Sequence, residues 1–167
     1  MTPIEGGVVQ QEVLIEAEPE IVFAFFTDPD KMIQWQGRRA ELDPRPGGGF
    51  RVEVTNLHTA VGEYVELDPP HRVVFTWGWD DRETSIPPGS TTIEVTLTAE
   101  GSGTLVRLAH RDLPSDESRA QHGQGWEHYL VRLVTAAGGG DPGPDPWLEE
   151  PPSGEITDFS PGAERRG

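Results

Sequence analysis

The chain has 167 residues, no cysteine and a formal net charge of −16. The lack of cysteine excludes disulfides, thiolate metal sites and cysteine nucleophiles, and an acidic surface repels phosphate backbones and anionic lipid. We therefore expect neither nucleic acid nor a membrane as a partner. The first residues lack the basic and apolar regions of a signal peptide, and no run approaches about 18 apolar residues, so we expect a cytoplasmic protein.

The N-terminal part predicts one strand and two short helices. Residues 8–17 are apolar and β-branched, as is typical of a strand. After Pro19, which suits a first helical turn, one helical face is formed by Ile21, Val22, Phe25 and Phe26. Asp28 can cap a second helix, which carries Met32, Ile33 and Trp35. Helical elements therefore follow the first strand directly.

Six further strand signals follow, separated by turns that contain glycine or proline. The predicted strands are 40–43, 50–55, 59–67, 71–79, 91–99 and 104–111. Gly62 predicts a bulge or a close backbone approach within the third of them. The segment 80–89 is polar, contains two prolines and predicts a loop.

A long helix is predicted at the end of the folded part. Ser115, Asp116 and Glu117 provide an N-terminal capping signal, and Gly138–Gly140 end the helix. Its apolar stripe consists of Trp126, Tyr129, Leu130, Leu133, Val134 and Ala137. Residues 141–167 are acidic and rich in proline and glycine, so we expect one domain at 1–140 and a disordered tail at 141–167.

This order of elements predicts an α+β fold, because a long antiparallel sheet must cover one face and the terminal helix is the only element long enough. Five sequence segments resemble the START/helix-grip superfamily, also called SRPBCC, and occur in the same order as in that superfamily. Within it they resemble the branch related to the activator of heat-shock protein 90 ATPase. They are 16–35, 46–54, 62–77, 104–114 and 125–133. Beyond residue 140 the resemblance extends only to DPGPDPW (141–147), for which the sequence indicates no role.

The resemblance implies a curved antiparallel sheet wrapped around the C-terminal helix, with two short helices after the first strand and a hydrophobic cavity between sheet and helix. Members of the superfamily bind lipids, hormones and polyketides, and some are cyclases or aromatases. Inward strand positions and aromatic residues then give the candidate ligand site. Its residues are Phe25, Trp35, Phe50, Val52, Glu63, Val65, Phe75, Trp77, Trp79, Val95, Leu108, His110, His122, Trp126, Tyr129, Leu130 and Leu133.

Two of these candidates could carry chemistry. Alternation places Glu63 and His110 on the inward face, where a carboxylate near a histidine could act as a general base or hold a ligand hydroxyl. The alternatives are a structural polar pair at the cavity rim, or a shift of register that turns Glu63 outward. The five histidines show no HxH or HExxH spacing, so we expect no metal and no cofactor.

Three functions are therefore compatible with the sequence. The first is binding of a small hydrophobic or aromatic ligand in a closed pocket of roughly 300–1,000 Å³, without catalysis. The second is a cyclase- or aromatase-like enzyme that uses Glu63 or His110 as acid or base. The third, implied by the resemblance, is a partner of a chaperone ATPase linked to the stress response. A homodimer is also left open.

Overall fold

The computed structural model describes the backbone of residues 4–5, together with residues 7–81 and 84–150. It confirms the α+β helix-grip fold. The strands are β1 (Ile4–Glu5), β2 (Val8–Ile15), β3 (Arg39–Leu42), β4 (Gly49–Glu53), β5 (Thr59–Asp68), β6 (Arg72–Trp77), β7 (Thr91–Glu100) and β8 (Gly103–Arg111). The helices are α1 (Pro19–Ala24), α2 (Pro29–Met32) and α3 (Asp116–Ala137), followed by a 3-10 turn at Pro146–Leu148.

All eight strands form one antiparallel sheet in the order β1-β2-β8-β7-β6-β5-β4-β3. The pairing of β7 with β8 follows the predicted hairpin, with Ile93 opposite His110 and Leu97 opposite Val106. Because neighbours across a ladder point to the same face, these four side chains share the covered face and all are buried.

The two short helices are fixed by their first turns and by one tryptophan. Proline begins both helices, and the Asp28 side chain accepts a hydrogen bond from the Asp30 amide at 2.9 Å, as a capping residue should. Trp35 Nε1 donates to the Phe25 carbonyl at 3.0 Å. This bond ties the end of α2 to the end of α1, and both rings are buried.

Helix α3 lies across the sheet as the apolar stripe predicts. Ser115 caps it, and its side chain forms a reciprocal capping box with Ser118. Leu130 and Leu133 are buried in the same core cluster as Val95 and Val106, and the Trp126 ring lies 5.3 Å from Trp77 of β6. Within the described residues, no helix is both long and apolar enough to cross a membrane.

The first part of the predicted tail, residues 141–148, packs against α3. The remaining tail residues, 151–167, lie outside the described residues. The Arg132 side chain donates to the Gly143 carbonyl at 2.9 Å, and His128 Nε2 donates to Asp145 Oδ1 at 2.8 Å. Contacts from two successive turns of α3 therefore hold the segment in place.

Candidate functional site: an aromatic pocket between β6 and α3

The space between sheet and helix is almost completely filled. A cavity of about 10 Å³ remains, which is room for about one water molecule. This cavity and the residues that line it are called the aromatic pocket. Its walls consist of Gln36, Val54, Trp77, Trp79, His122, Gly125, Trp126 and Tyr129. This volume is far below the expected 300–1,000 Å³ of a ligand pocket, because large aromatic rings occupy the space between β6 and α3.

Two tryptophans of the β6 region and one of α3 form the centre of the aromatic pocket. Trp77 and Trp79 are two residues apart in extended chain and so point to the same face. Their rings meet edge to face at 5.2 Å, and Trp77 lies 5.3 Å from Trp126. Gly78 between them allows the 80–90 loop to approach, since a Cβ there would lie 1.8 Å from the Pro87 carbonyl oxygen. The pocket wall thus depends on a glycine that the loop covers.

A chain of hydrogen bonds fixes the protonation state of His110 at the back of the aromatic pocket. Trp126 Nε1 donates to His110 Nδ1 at 3.1 Å, so this nitrogen carries no proton. The Thr91 hydroxyl donates to the Trp77 carbonyl at 2.7 Å and therefore accepts from His110 Nε2 at 2.8 Å. His110 is consequently a neutral imidazole with its proton on Nε2.

The second buried histidine is fixed in the opposite tautomer. Trp79 Nε1 donates to His122 Nε2 at 3.1 Å, and His122 Nδ1 donates to the Ser118 carbonyl at 2.9 Å. The His110 and His122 rings lie 5.2 Å apart. Burial, and secondarily the neighbouring His122, hold the pKa of His110 well below its usual 6.5. Both histidines are thus positioning residues of the pocket wall, since every ring nitrogen is engaged.

Glu63 and His110 lie on opposite faces of the sheet, so the structure shows the alternative in which a register shift turns Glu63 outward. Glu63 is exposed and Val65 is 50% exposed, whereas Tyr64 between them is fully buried and donates its hydroxyl to the Phe26 carbonyl at 2.8 Å. The cause is a bulge between Tyr64 and Glu66 in the pairing of β5 with β6. An extra residue there reverses the face of everything before it, so counting back from Leu67 gives the wrong side.

The other predicted site residues divide into pocket wall and core. Trp77, Trp79, His122, Trp126 and Tyr129 line the aromatic pocket, and His110 supports it from behind. The predicted residues that fill the surrounding core are Phe25, Trp35, Phe50, Val52, Phe75, Val95, Leu108, Leu130 and Leu133.

Two residues that line the aromatic pocket, Gln36 and Gly125, and one that bonds to His110, Thr91, were not predicted from the sequence. Gln36 is buried in the turn between α2 and β3, Thr91 begins β7, and Gly125 lies on α3 beside Trp126. An isolated buried polar residue leaves no periodic signal. Gly125 could have been found, since a glycine inside a helix often allows close packing.

The segment 141–148, here called the strap, borders the aromatic pocket. The Trp147 ring stacks on His128 at 3.7 Å and meets Tyr129 edge to face at 5.7 Å. Burial raises the pKa of Asp145, but hydrogen bonds from His128 and from the Trp147 amide outweigh burial, so the carboxyl stays below its usual range. Burial and the charge of Asp145 raise the pKa of the Tyr129 hydroxyl.

Two larger hollows are open to the surface. One, of about 410 Å³, lies between the end of α2 and the strap and includes Arg132; the other, of about 400 Å³, lies on the outer face of β2, β8 and β7 around Ala109. In both hollows the charged side chains already have protein partners, such as Glu94 with Arg111 and Arg132 with Gly143. Among the described residues, no group of three or more histidines and acids is arranged to hold a metal ion.

Comparison with known proteins places this geometry in a family. The AHSA1-like protein from Rhizobium etli has 45% identity and a TM-score of 0.68, covering 88% of this chain and 92% of that chain. An HSP90 activator from Plasmodium falciparum has a TM-score of 0.62, covering 77% of this chain and 94% of that one, and at 24% identity it shows the shared fold only.

A third relative is an uncharacterised protein of Schizosaccharomyces pombe, 27% identical over 134 residues. The match covers 79% of this chain, but the chain spans only 38% of the length of that curated relative. Residues 16–138 match the family described as activator of Hsp90 ATPase homolog 1-like protein. The chain belongs to this family.

Proposed function

We propose that this protein binds a small hydrophobic or aromatic molecule in the aromatic pocket between β6 and α3. Flat rings offer large apolar contact area and a polar edge, and such surfaces are typical of small-molecule sites. The pocket is lined by three tryptophans and a tyrosine. The physiological ligand is defined here by its class, an apolar ring system that carries at least one hydrogen-bonding atom.

The observation that carries this proposal is a pair of buried polar atoms. Trp77 Nε1 and Tyr129 Oη are both buried and have no hydrogen-bond partner within the described residues, and both residues line the aromatic pocket. An unpaired buried donor costs about 1–3 kcal/mol, and native proteins rarely retain one without a reason. A ligand with an acceptor atom would recover this free energy at both positions.

Binding requires the aromatic pocket to enlarge. An engineered cavity that accepts benzene measures roughly 150 Å³, whereas the aromatic pocket has about 10 Å³. A ligand must therefore displace side chains or a covering segment, and we expect binding to involve a conformational change.

Several contacts favour binding over catalysis at this site. His110 and His122 use all four ring nitrogens in hydrogen bonds, and Glu63 is on the outer face of the sheet. General acid–base catalysis needs a group that can exchange a proton with the substrate. The cyclase- or aromatase-like alternative therefore loses both of its predicted acid–base residues.

The test uses two tyrosines in opposite situations. Tyr129→Phe removes an unpartnered hydroxyl in the pocket wall, whereas Tyr64→Phe removes a hydroxyl that is bonded to Phe26 and lies outside the pocket. In a fluorescence titration with naphthol, we expect Tyr129→Phe to lower affinity about five- to tenfold and Tyr64→Phe to leave affinity unchanged. Thermal unfolding without ligand should show a different order: Tyr64→Phe is destabilised because it loses the bond to Phe26, whereas Tyr129→Phe is more stable than the wild type because it removes an unpaired buried hydroxyl.

Native mass spectrometry of protein purified from its own cells provides the second measurement. A co-purifying small molecule that is lost in Tyr129→Phe would identify the ligand. If naphthol and other neutral aromatic probes fail to bind the wild type at millimolar concentration, and nothing co-purifies, the proposed function is wrong.

A second candidate, a chaperone partner, is favoured by the family match over residues 16–138 and by the filled interior. Such a role uses an exposed surface, and the net charge of −16 suits a basic patch on the chaperone. The measurement is the ATPase rate of an Hsp90-class chaperone with and without this protein. An unchanged rate at saturating protein would eliminate this candidate. The homodimer stays a prediction, which light scattering during gel filtration can test.

A further inference from the structure

The strap is held to the folded core by hydrogen bonds from three residues, His128 and Arg132 of α3 and Asn56 between β4 and β5. At one anchor, His128 donates to Asp145 at 2.8 Å while its ring stacks on Trp147 at 3.7 Å and 11°. The Asp145 carboxylate also accepts from the Trp147 amide at 2.9 Å. One histidine of α3 thus contacts two strap residues, a charged one and an aromatic one.

Further anchors come from α3 and from the turn between β4 and β5. Arg132 donates to the Gly143 carbonyl at 2.9 Å and, through Nε, to the Trp35 carbonyl at 3.2 Å. The Asn56 amide donates to the Leu148 carbonyl at 2.7 Å. The bonds to Gly143 and Leu148 hold the strap between α3 and the turn that joins β4 to β5, and the bond to Trp35 fixes the Arg132 side chain.

One ring contact connects the strap with the aromatic pocket. Tyr129, which lines the pocket, meets Trp147 edge to face at 5.7 Å. The strap residues themselves are not part of the pocket lining. The strap therefore lies behind Tyr129, on the side of this ring that faces away from the pocket.

The other walls of the pocket cannot move without breaking the core. Trp126 is bonded to His110 and Trp79 to His122, and both pairs are buried. In the strap, by contrast, Asp145 is the one buried residue, and Trp147 and Leu148 are half-buried. The strap behind Tyr129 is thus less buried than the walls of the pocket.

We propose that the strap is the gate of the aromatic pocket: it must detach from His128 for a ligand to enter or leave. This inference rests on the proposed function, because it describes access to the same site. A gate that is closed in the free and in the ligand-bound protein controls both rates of exchange and leaves the equilibrium affinity unchanged. Weakening the anchor at His128 should therefore raise the two rates together.

Stopped-flow fluorescence with naphthol tests this in the full-length protein. Trp147→Ala removes the stack and His128→Gln removes the ring while keeping a side chain that can donate a hydrogen bond. We expect each variant to raise the association and dissociation rate constants about three- to tenfold, as the loss of one aromatic contact implies, with an unchanged Kd. Val131→Ala, an exposed position on the same helix, should change neither rate.

The outcomes separate this inference from the proposed function. If naphthol binds the wild type and both variants with identical rate constants, the strap is not the gate, but the binding site stands. If the variants change Kd without a parallel change in both rates, the strap contacts the ligand and the gate is likewise refuted. If naphthol binds none of these proteins, the proposed function fails and the gate fails with it.

Discussion

The protonation of His110 gives a pH dependence of stability that can be worked out in advance. His110 has no exposed surface, and burial, together with the nearby His122, lowers its pKa well below the usual 6.5. The unfolded chain takes up a proton at this residue near pH 6.5, whereas the folded protein cannot. The free energy of unfolding therefore falls as the pH drops below about 6.5, by up to about 1.4 kcal/mol per pH unit, until the folded pKa is reached.

Other groups also titrate in this range, so the effect must be isolated by substitution. His110→Phe keeps the ring volume but loses the hydrogen bonds with Trp126 and Thr91. We expect it to lower the free energy of unfolding at neutral pH by about 3 kcal/mol, because the Trp126 donor is left unpaired in the core. Its stability should then depend less steeply on pH than that of the wild type, by about one proton between pH 5 and 6.

Urea unfolding followed by tryptophan fluorescence, repeated across this pH range, measures both quantities. His71→Gln, which replaces an exposed histidine, is the matched control for the loss of a histidine outside the core. Parallel pH profiles for the wild type and His110→Phe would refute the reasoning. They would mean that His110 takes up its proton equally well in the folded protein.

Two further predictions concern β5. A Cβ at Gly62 would lie 1.9 Å from the Thr76 carbonyl oxygen, whereas a Cβ at Gly49 would meet nothing within 4 Å. We therefore expect Gly62→Ala to lower the free energy of unfolding in urea by about 2–3 kcal/mol. Gly49→Ala, the control, should leave it almost unchanged. Glu63→Gln should change naphthol affinity less than twofold and stability by less than about 0.5 kcal/mol, because the side chain is on the outer face; a tenfold loss of affinity would contradict this.

The sequence was sufficient to predict which side chains are buried where the local pattern agrees with the packing of the whole domain. The strict alternation of β7 places Ile93, Val95 and Leu97 on one face, and all three are buried. Trp126, Leu130 and Leu133 of the α3 stripe are buried in the same core cluster. Such patterns extend over several turns or residue pairs, so that a single exception does not change the assignment.

The sequence was insufficient to predict the face of a side chain or the packing of a segment where these depend on a single residue. The bulge after Tyr64 leaves no compositional signal, yet it moves Glu63 from the predicted pocket to solvent. The strap shows the same limit: its proline, glycine and acidic content is typical of disorder, whereas its contacts depend on His128, which is 17 residues from Asp145. Average composition does not register one hydrogen bond and one stacked ring.

The filled interior and the proposed binding site are compatible if the aromatic pocket opens where the least free energy is required, at Tyr129 and the strap behind it. The strap is held by about three hydrogen bonds and one ring stack, which together contribute about 4 kcal/mol. Displacing α3 would instead expose Trp126, Leu130 and Leu133, at about 2–3 kcal/mol each, in addition to the bond between Trp126 and His110. On these values the strap is open in about one molecule in 10³, and a ligand that enters through it needs no disruption of the sheet or the helix.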